Sequence, residues 1–128
     1  VKVQIRVYYE DTDVGGVVYH SNYLNFCERA RSELFFQNGS SPVLEEGHFV
    51  AKRIEADFIQ SARFGDILHV KTHLLTMKGA SFILHQEIYK DEEKLFEMRI
   101  TLAHLDHQGR LLRMSERVKS LLQSFINQ

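Results

Sequence analysis

Two periodicities divide the chain. Tyr23, Phe26, Cys27, Ala30 and Leu34 follow one another at helical spacing, which lines them up as one stripe of a helix. Glu28, Arg29, Ser32 and Glu33 take the opposite face, so this helix is expected to bury one side only. Ser21 stands where an N-cap belongs, and Asn38-Gly39 where a helix stops. Elsewhere the period is two. Phe82, Leu84 and Ile88 alternate with Ser81, His85 and Glu87; Phe96, Met98, Ile100 and Leu102 alternate with Glu97, Arg99 and Thr101. With β-branched and aromatic content added, strands are predicted at 3–9, 49–61, 67–77, 80–90 and 94–106. A loop over 39–48 follows the helix. Arg63-Phe64-Gly65-Asp66, Lys78-Gly79 and Asp91-Glu92-Glu93 read as connections between strands, and His107-Gln108-Gly109 as the end of the last. Ser115 is placed to cap a final helix with the apolar set Val118, Leu121, Leu122, Phe125 and Ile126.

One strand, a helix, four strands and a helix make an α+β chain, with a five-stranded, mainly antiparallel sheet laid over the first helix. Its 128 residues fit a single domain, 1–128, and no linker or repeat divides them. A sheet of this size gives a modest core, and the long strands suggest that a partner subunit completes it. Sixteen basic and 17 acidic side chains leave a formal charge of -1, so nothing in the balance draws the chain to nucleic acid or anionic lipid. No apolar run approaches the ~20 residues of a membrane span, and no signal-peptide pattern opens the sequence. Cys27 is the one cysteine, which excludes an internal disulfide and a Cys-rich metal site. The expected setting is the cytoplasm.

The densest group of polar and flexible residues runs from Tyr8 to Tyr23, joining the first strand to the long helix. A helix N-terminus offers unpaired N–H groups and partial positive charge, enough to hold a developing oxyanion. A carboxylate from the preceding turn is within reach of the same spot. Together they form a minimal kit for hydrolysing an activated acyl group. Asp, Thr and Gly also make ordinary strand-to-helix turns, so the residues alone leave both readings open.

Glu10-Asp11-Thr12-Asp13, Gly16-Val17-Val18-Tyr19-His20, Asn22-Tyr23 and Glu28-Arg29-Ala30-Arg31 closely resemble the signature of the YbgC branch of the 4-hydroxybenzoyl-CoA thioesterase-like family. Ala62-Arg63-Phe64-Gly65-Asp66 resembles that family's connection between its second and third strands. The resemblance covers nearly the whole chain. It implies a hotdog fold, a curved antiparallel sheet wrapped around one long helix, in homodimers or homotetramers with active sites at the dimer interface. It also implies an acyl-CoA thioesterase that needs no cofactor, coenzyme A being part of the substrate. Asp13 matches the catalytic carboxylate, either as nucleophile or as base on water. His20 matches the helix-start position whose N–H polarises the thioester carbonyl, and Tyr9 a supporting tyrosine. Asp11 reads as a turn former.

Tyr23, Phe26 and Phe58 are candidates for an acyl slot, although each is as readily plain core. Arg63 and Lys78, with Lys52 and Arg53, are candidate cations for the phosphates of coenzyme A. His69 and His73 share a strand face but lie ~13 Å apart, too far to share an ion, and no metal site is expected. Cys27 lies on the buried stripe and reads as core. A non-catalytic module binding acyl-CoA or acyl carrier protein is the alternative. A hotdog dehydratase fits the loop less well.

Overall fold

The computed structural model describes residues 2–126. In chain order the elements are β1 (Lys2–Arg6), α1 (Asn22–Gln37), β2 (His48–Phe58), β3 (Ile67–Met77), β4 (Ser81–Lys90), β5 (Glu93–Leu105) and α2 (Glu116–Ile126), with one 3-10 turn at Tyr9–Asp11. The strands form one antiparallel sheet in the order β1-β3-β4-β5-β2. This is the α+β arrangement expected from the two periodicities, with all five members of the α1 stripe buried against the sheet.

Strand alternation decides what meets the helix. Phe82, Leu84 and Ile88 of β4 and Phe96, Met98, Ile100 and Leu102 of β5 are buried. Gln86 fills the gap in the β4 series and is fully buried. Its amide donates to the Cys27 carbonyl (3.0 Å) and the Thr72 hydroxyl (2.9 Å), and its oxygen accepts from Arg31 (3.0 Å). A buried amide is tolerated because each of these groups finds a partner. Val118, Leu122 and Ile126 of α2 are buried and Leu121 is half-buried; the side chain of Phe125, also in the predicted set, lies outside the described residues.

Several boundaries differ from the sequence reading. The first strand stops at Arg6 rather than residue 9. Val7 instead pairs with the next turn, donating to the Asp66 carbonyl and accepting from Gly65 N–H, both at 2.9 Å. Beyond it the buried Asp11 carboxylate takes the Tyr8 N–H (2.9 Å) and coils the chain. β2 ends at Phe58 rather than residue 61, because the Ile59 and Gln60 N–H groups both turn to the Leu95 carbonyl. Ser21 does not cap α1 through its side chain, since its own backbone is already helical (φ -68°, ψ -20°). The helix start is tied down by Asn22, which donates from Nδ2 to the Asp11 carbonyl (2.9 Å). Ser115 does cap α2, accepting the Val118 N–H at 3.2 Å.

Gly39 ends α1 as expected. With φ +71° it lets its own N–H reach the Phe36 carbonyl and the Ser40 N–H reach the Phe35 carbonyl, a closed C-terminal cap. The two sheet edges are unequal. β1 is short, whereas β2 has eleven residues, exposed from Val50 to Phe58, with Val50, Ile54 and Phe58 open to solvent.

Candidate active site

The loop between β1 and α1 is a small hairpin in which Thr12 pairs with Val18. Asp13 sits near its start. Its N–H donates to the Val17 carbonyl (2.8 Å), its carbonyl accepts from Gly16 (3.1 Å), and its Oδ1 accepts from Gly15 N–H (2.8 Å). Gly16 has φ +80°, a conformation that side-chain-bearing residues rarely adopt. The turn therefore holds the Asp13 carboxylate on a fixed stalk while leaving it exposed to solvent. The second strand of the hairpin is anchored from below, where Val18 N–H bonds the carbonyl of the buried Ala62 (2.9 Å).

His20 is exposed just before the first turn of α1. Its ring leans on Tyr19 (4.4 Å between centroids) and stands edge-on to Phe58 (6.5 Å). The backbone N–H groups of His20 and Ser21 bond no acceptor among the described residues, whereas Tyr19 and Asn22 on either side do. Two free donors thus stand at the positive end of the helix dipole. No hydrogen bond joins Asp13 to His20. What joins them is the backbone: the hairpin ladder and the bond from Tyr19 N–H to the Asp11 carbonyl (2.9 Å).

The other sequence candidates fall in three places. Tyr23 and Phe58 line a cleft beside His20, together with Val18, Gln60 and Ser61. Tyr23 is buried and its hydroxyl accepts the Ala62 N–H (3.0 Å); burial raises its pKa, with that bond opposing. Tyr9 is almost fully exposed and stacks on Phe64 (4.5 Å, 13° between planes), its hydroxyl unpartnered among the described residues. Arg63 bridges to Val17 through the backbone, so its exposed side chain stands beside the loop. Phe26 lies fully buried beneath Tyr23 and does not line this cleft. Lys78 is exposed at the far end of β3, some ~30 Å of strand from the Asp13 end.

Gln60 and Ser61, which line the cleft, and Phe64, which stacks on Tyr9, are not among the candidates singled out from the sequence. The available signal was the Ala62–Asp66 segment, whose Gly65 (φ +86°) and Asp66 carboxylate shape the supporting turn, the latter accepting the Arg63 N–H at 2.9 Å. Cys27 is buried in the core, and burial pushes its thiol up to about 12, so it is no nucleophile.

On the sheet face away from α1, the ligand atoms of His85, Glu87 and Glu97 lie within 4.8 Å of one another. The place of a cation there is taken by Lys94, whose ammonium is 2.8 Å from Glu87 and 3.0 Å from Glu97. Burial works to raise the Glu87 pKa, but hydrogen bonds from Lys94 and Tyr89 outweigh it and the net shift is downward. Glu97 is lowered, chiefly by the Lys94 hydrogen bond. Folded-state values below the ordinary 4.5 mean that this cluster stabilises the fold above that pH and ceases to do so as pH falls through the depressed values. Urea unfolding between pH 6 and pH 3 should therefore show a steeper acid loss for wild type than for Lys94→Met. Parallel slopes would remove the ion pair as the cause.

A sequence model described as the thioesterase-like superfamily matches residues 7–122. The chain is 51% identical over 87 residues to the acyl-CoA thioesterase YbgC of Helicobacter pylori, a match covering 68% of this chain and 65% of that protein. It is 39% identical over 106 residues to the acyl-CoA thioesterase YbgC of Haemophilus influenzae, covering 80% of this chain and 78% of the other. The matched stretch thus spans just under two thirds of the Helicobacter pylori protein. Among solved structures, one from Bartonella henselae superposes with TM-score 0.85 at 34% identity, over 90% of this chain and 98% of its own.

Proposed function

Since this chain belongs to the thioesterase-like superfamily, in the branch of the YbgC proteins, we propose that it hydrolyses an acyl-CoA thioester to the free acid and the thiol. The observation that carries this reading is the pairing of an exposed, turn-held Asp13 carboxylate with the unpartnered N–H groups of His20 and Ser21 at the start of α1. A thioester is already activated, so a carboxylate and a few fixed dipoles suffice. The carbonyl oxygen takes the two N–H groups, which strengthen as it gains negative charge. Asp13 either attacks the carbonyl carbon, expelling the thiolate and leaving a mixed anhydride that water then cleaves to the acid and the free carboxylate, or takes a proton from a water that attacks the carbonyl carbon as the thiolate departs. The His20 imidazole, exposed beside the cleft, is placed to protonate that thiolate. Tyr9, held by its stack on Phe64, keeps a hydroxyl in the same loop, free among the described residues, for a supporting role. Tyr23 and Phe58 form the wall along which the acyl group begins, with Phe26 packed beneath.

The cations make sense only with a second subunit. β2 leaves a long edge of unpaired backbone groups with Val50, Ile54 and Phe58 exposed, a template for self-pairing. Antiparallel pairing of two β2 strands about a two-fold sets each Phe58 end beside the other His48 end. His48 pairs with Leu105, and Ala103 with Ser81, so the His48 end of the sheet also carries Lys78. The pairing thus brings the partner's Lys78 to the Asp13 end, where Arg63 already stands. Both are then available to the phosphates of coenzyme A, and the functional unit is a homodimer or a pair of them. Replacing Ile54 by Glu should give monomers in sedimentation velocity and at least tenfold lower turnover. Dimers with full activity would place the contact elsewhere.

The reaction itself is tested by thiol release from short, long and aromatic acyl-CoAs. Turnover on at least one member is expected. Saturable binding without turnover on any would favour the non-catalytic acyl-CoA or acyl carrier protein module.

A further inference from the structure

A second cavity, of about 230 Å³, lies along α1 away from the Asp13 loop. From His20 to Arg31 the chain advances by about 16 Å of helix, so the two are separate places on one subunit. Buried side chains of Leu34, Phe35, Phe82, Leu84 and Leu102 form its apolar wall. Arg31 lines the same space and is half-buried.

The state of that guanidinium is unusual. Among the described residues its one hydrogen bond goes to Gln86 Oε1 (3.0 Å), and it forms no ion pair with any of them. Gln86 in turn is held by the Cys27 carbonyl and the Thr72 hydroxyl, so the fork is fixed in place. Glu28, one turn back on the same face, also lines the space, but it is exposed to solvent and does not reach Arg31. Burial lowers the Arg31 pKa, and Cys27 and then Glu28 offset this only in part. A cation withdrawn from water without a counter-charge is costly, and a carboxylate relieves it. The planar fork also matches a carboxylate in shape.

We propose that this cavity binds a compact carboxylic acid, its carboxylate on Arg31 and its hydrocarbon part against Leu34, Phe35, Phe82 and Leu102. With a volume of about 230 Å³ the space suits a short-chain acid such as hexanoate. Each buried methylene raises affinity about fourfold, and the charge-assisted bond selects the acid over an alcohol of equal length by about tenfold or more. This goes beyond the proposed reaction. Acids of this class are what thioester hydrolysis releases.

Titrating Asp13→Asn protein with sodium hexanoate, followed by amide chemical shifts, reads binding with no turnover to confuse it. Saturable shifts around Arg31 and Phe35 are expected, with 1-hexanol at least tenfold weaker. Arg31→Met should lower hexanoate affinity at least tenfold and leave hexanol unchanged. Equal affinity for hexanoate and hexanol on the Arg31-intact protein would overturn the anchoring role, whether or not the variant folds. Absence of saturation by hexanoate would overturn the site. Both results are independent of whether acyl-CoA is hydrolysed.

Discussion

Asp13→Asn is expected to lower thiol release from acyl-CoA by about 10³-fold while leaving the fold and its melting temperature unchanged. The asymmetry follows from what each part of the side chain does. Oδ1 holds the turn by accepting the Gly15 N–H, and an asparagine oxygen accepts that bond equally well. The backbone bonds to Val17 and Gly16 do not involve the side chain. What asparagine lacks is the negative charge, and with it both the nucleophile and the base. Comparison with His20→Ala divides the remaining work. Alanine keeps the backbone N–H at the helix start, so a loss under tenfold means that the donor alone matters. A loss close to that of Asp13→Asn means that the imidazole moves a proton. Wild-type rates in Asp13→Asn would exclude the carboxylate mechanism.

Gln86→Ala is expected to destabilise the protein by about 2–4 kcal/mol, an effect centred in the fold rather than at the loop. Gln86 is fully buried and joins three partners: the α1 backbone at Cys27, the β3 hydroxyl of Thr72 and the Arg31 guanidinium. Truncation leaves a buried hydroxyl and a half-buried cation without their bonds, and opens a cavity between helix and sheet. Gln86→Leu should cost nearly as much, because restoring volume does not restore the three bonds. Urea denaturation of both variants checks this. A Leu variant as stable as wild type would show that packing, not the polar junction, holds α1 on the sheet. Since Arg31 depends on Gln86 for its position, Gln86→Ala should also weaken hexanoate binding.

Much of the architecture was written in local pattern. The helical stripe from Tyr23 to Leu34 and the alternation in β4 and β5 each report a buried face directly, because side-chain direction repeats with the backbone. The Asn38-Gly39 stop and the Ser115 cap were legible for the same local reason: their hydrogen bonds close within a few residues. The long loop motif carries family information in the order of its residues, and it is this resemblance that makes Asp13 and His20 the proposed catalytic pair.

Everything that depends on residues distant in sequence needed the tertiary structure. β1 and β2 end early because Val7 and Ile59 find partners near residues 66 and 95 that no local pattern announces. Gln86 stands among the apolar inward positions of β4, and only its long-range bonds make it a junction. Phe26 and Tyr23 share one stripe, yet the end of β2 decides that Tyr23 reaches a cleft and Phe26 does not. Lys78 and Asp13 were joined in the sequence reading as parts of one site, and the length of β3 separates them within one chain. The order of residues determined the periodicities, the α1 stop and the α2 cap, which are set by forces acting over a few bonds. The fold alone decided which of those features meet, because that depends on strand register and on the burial of polar groups across the sheet.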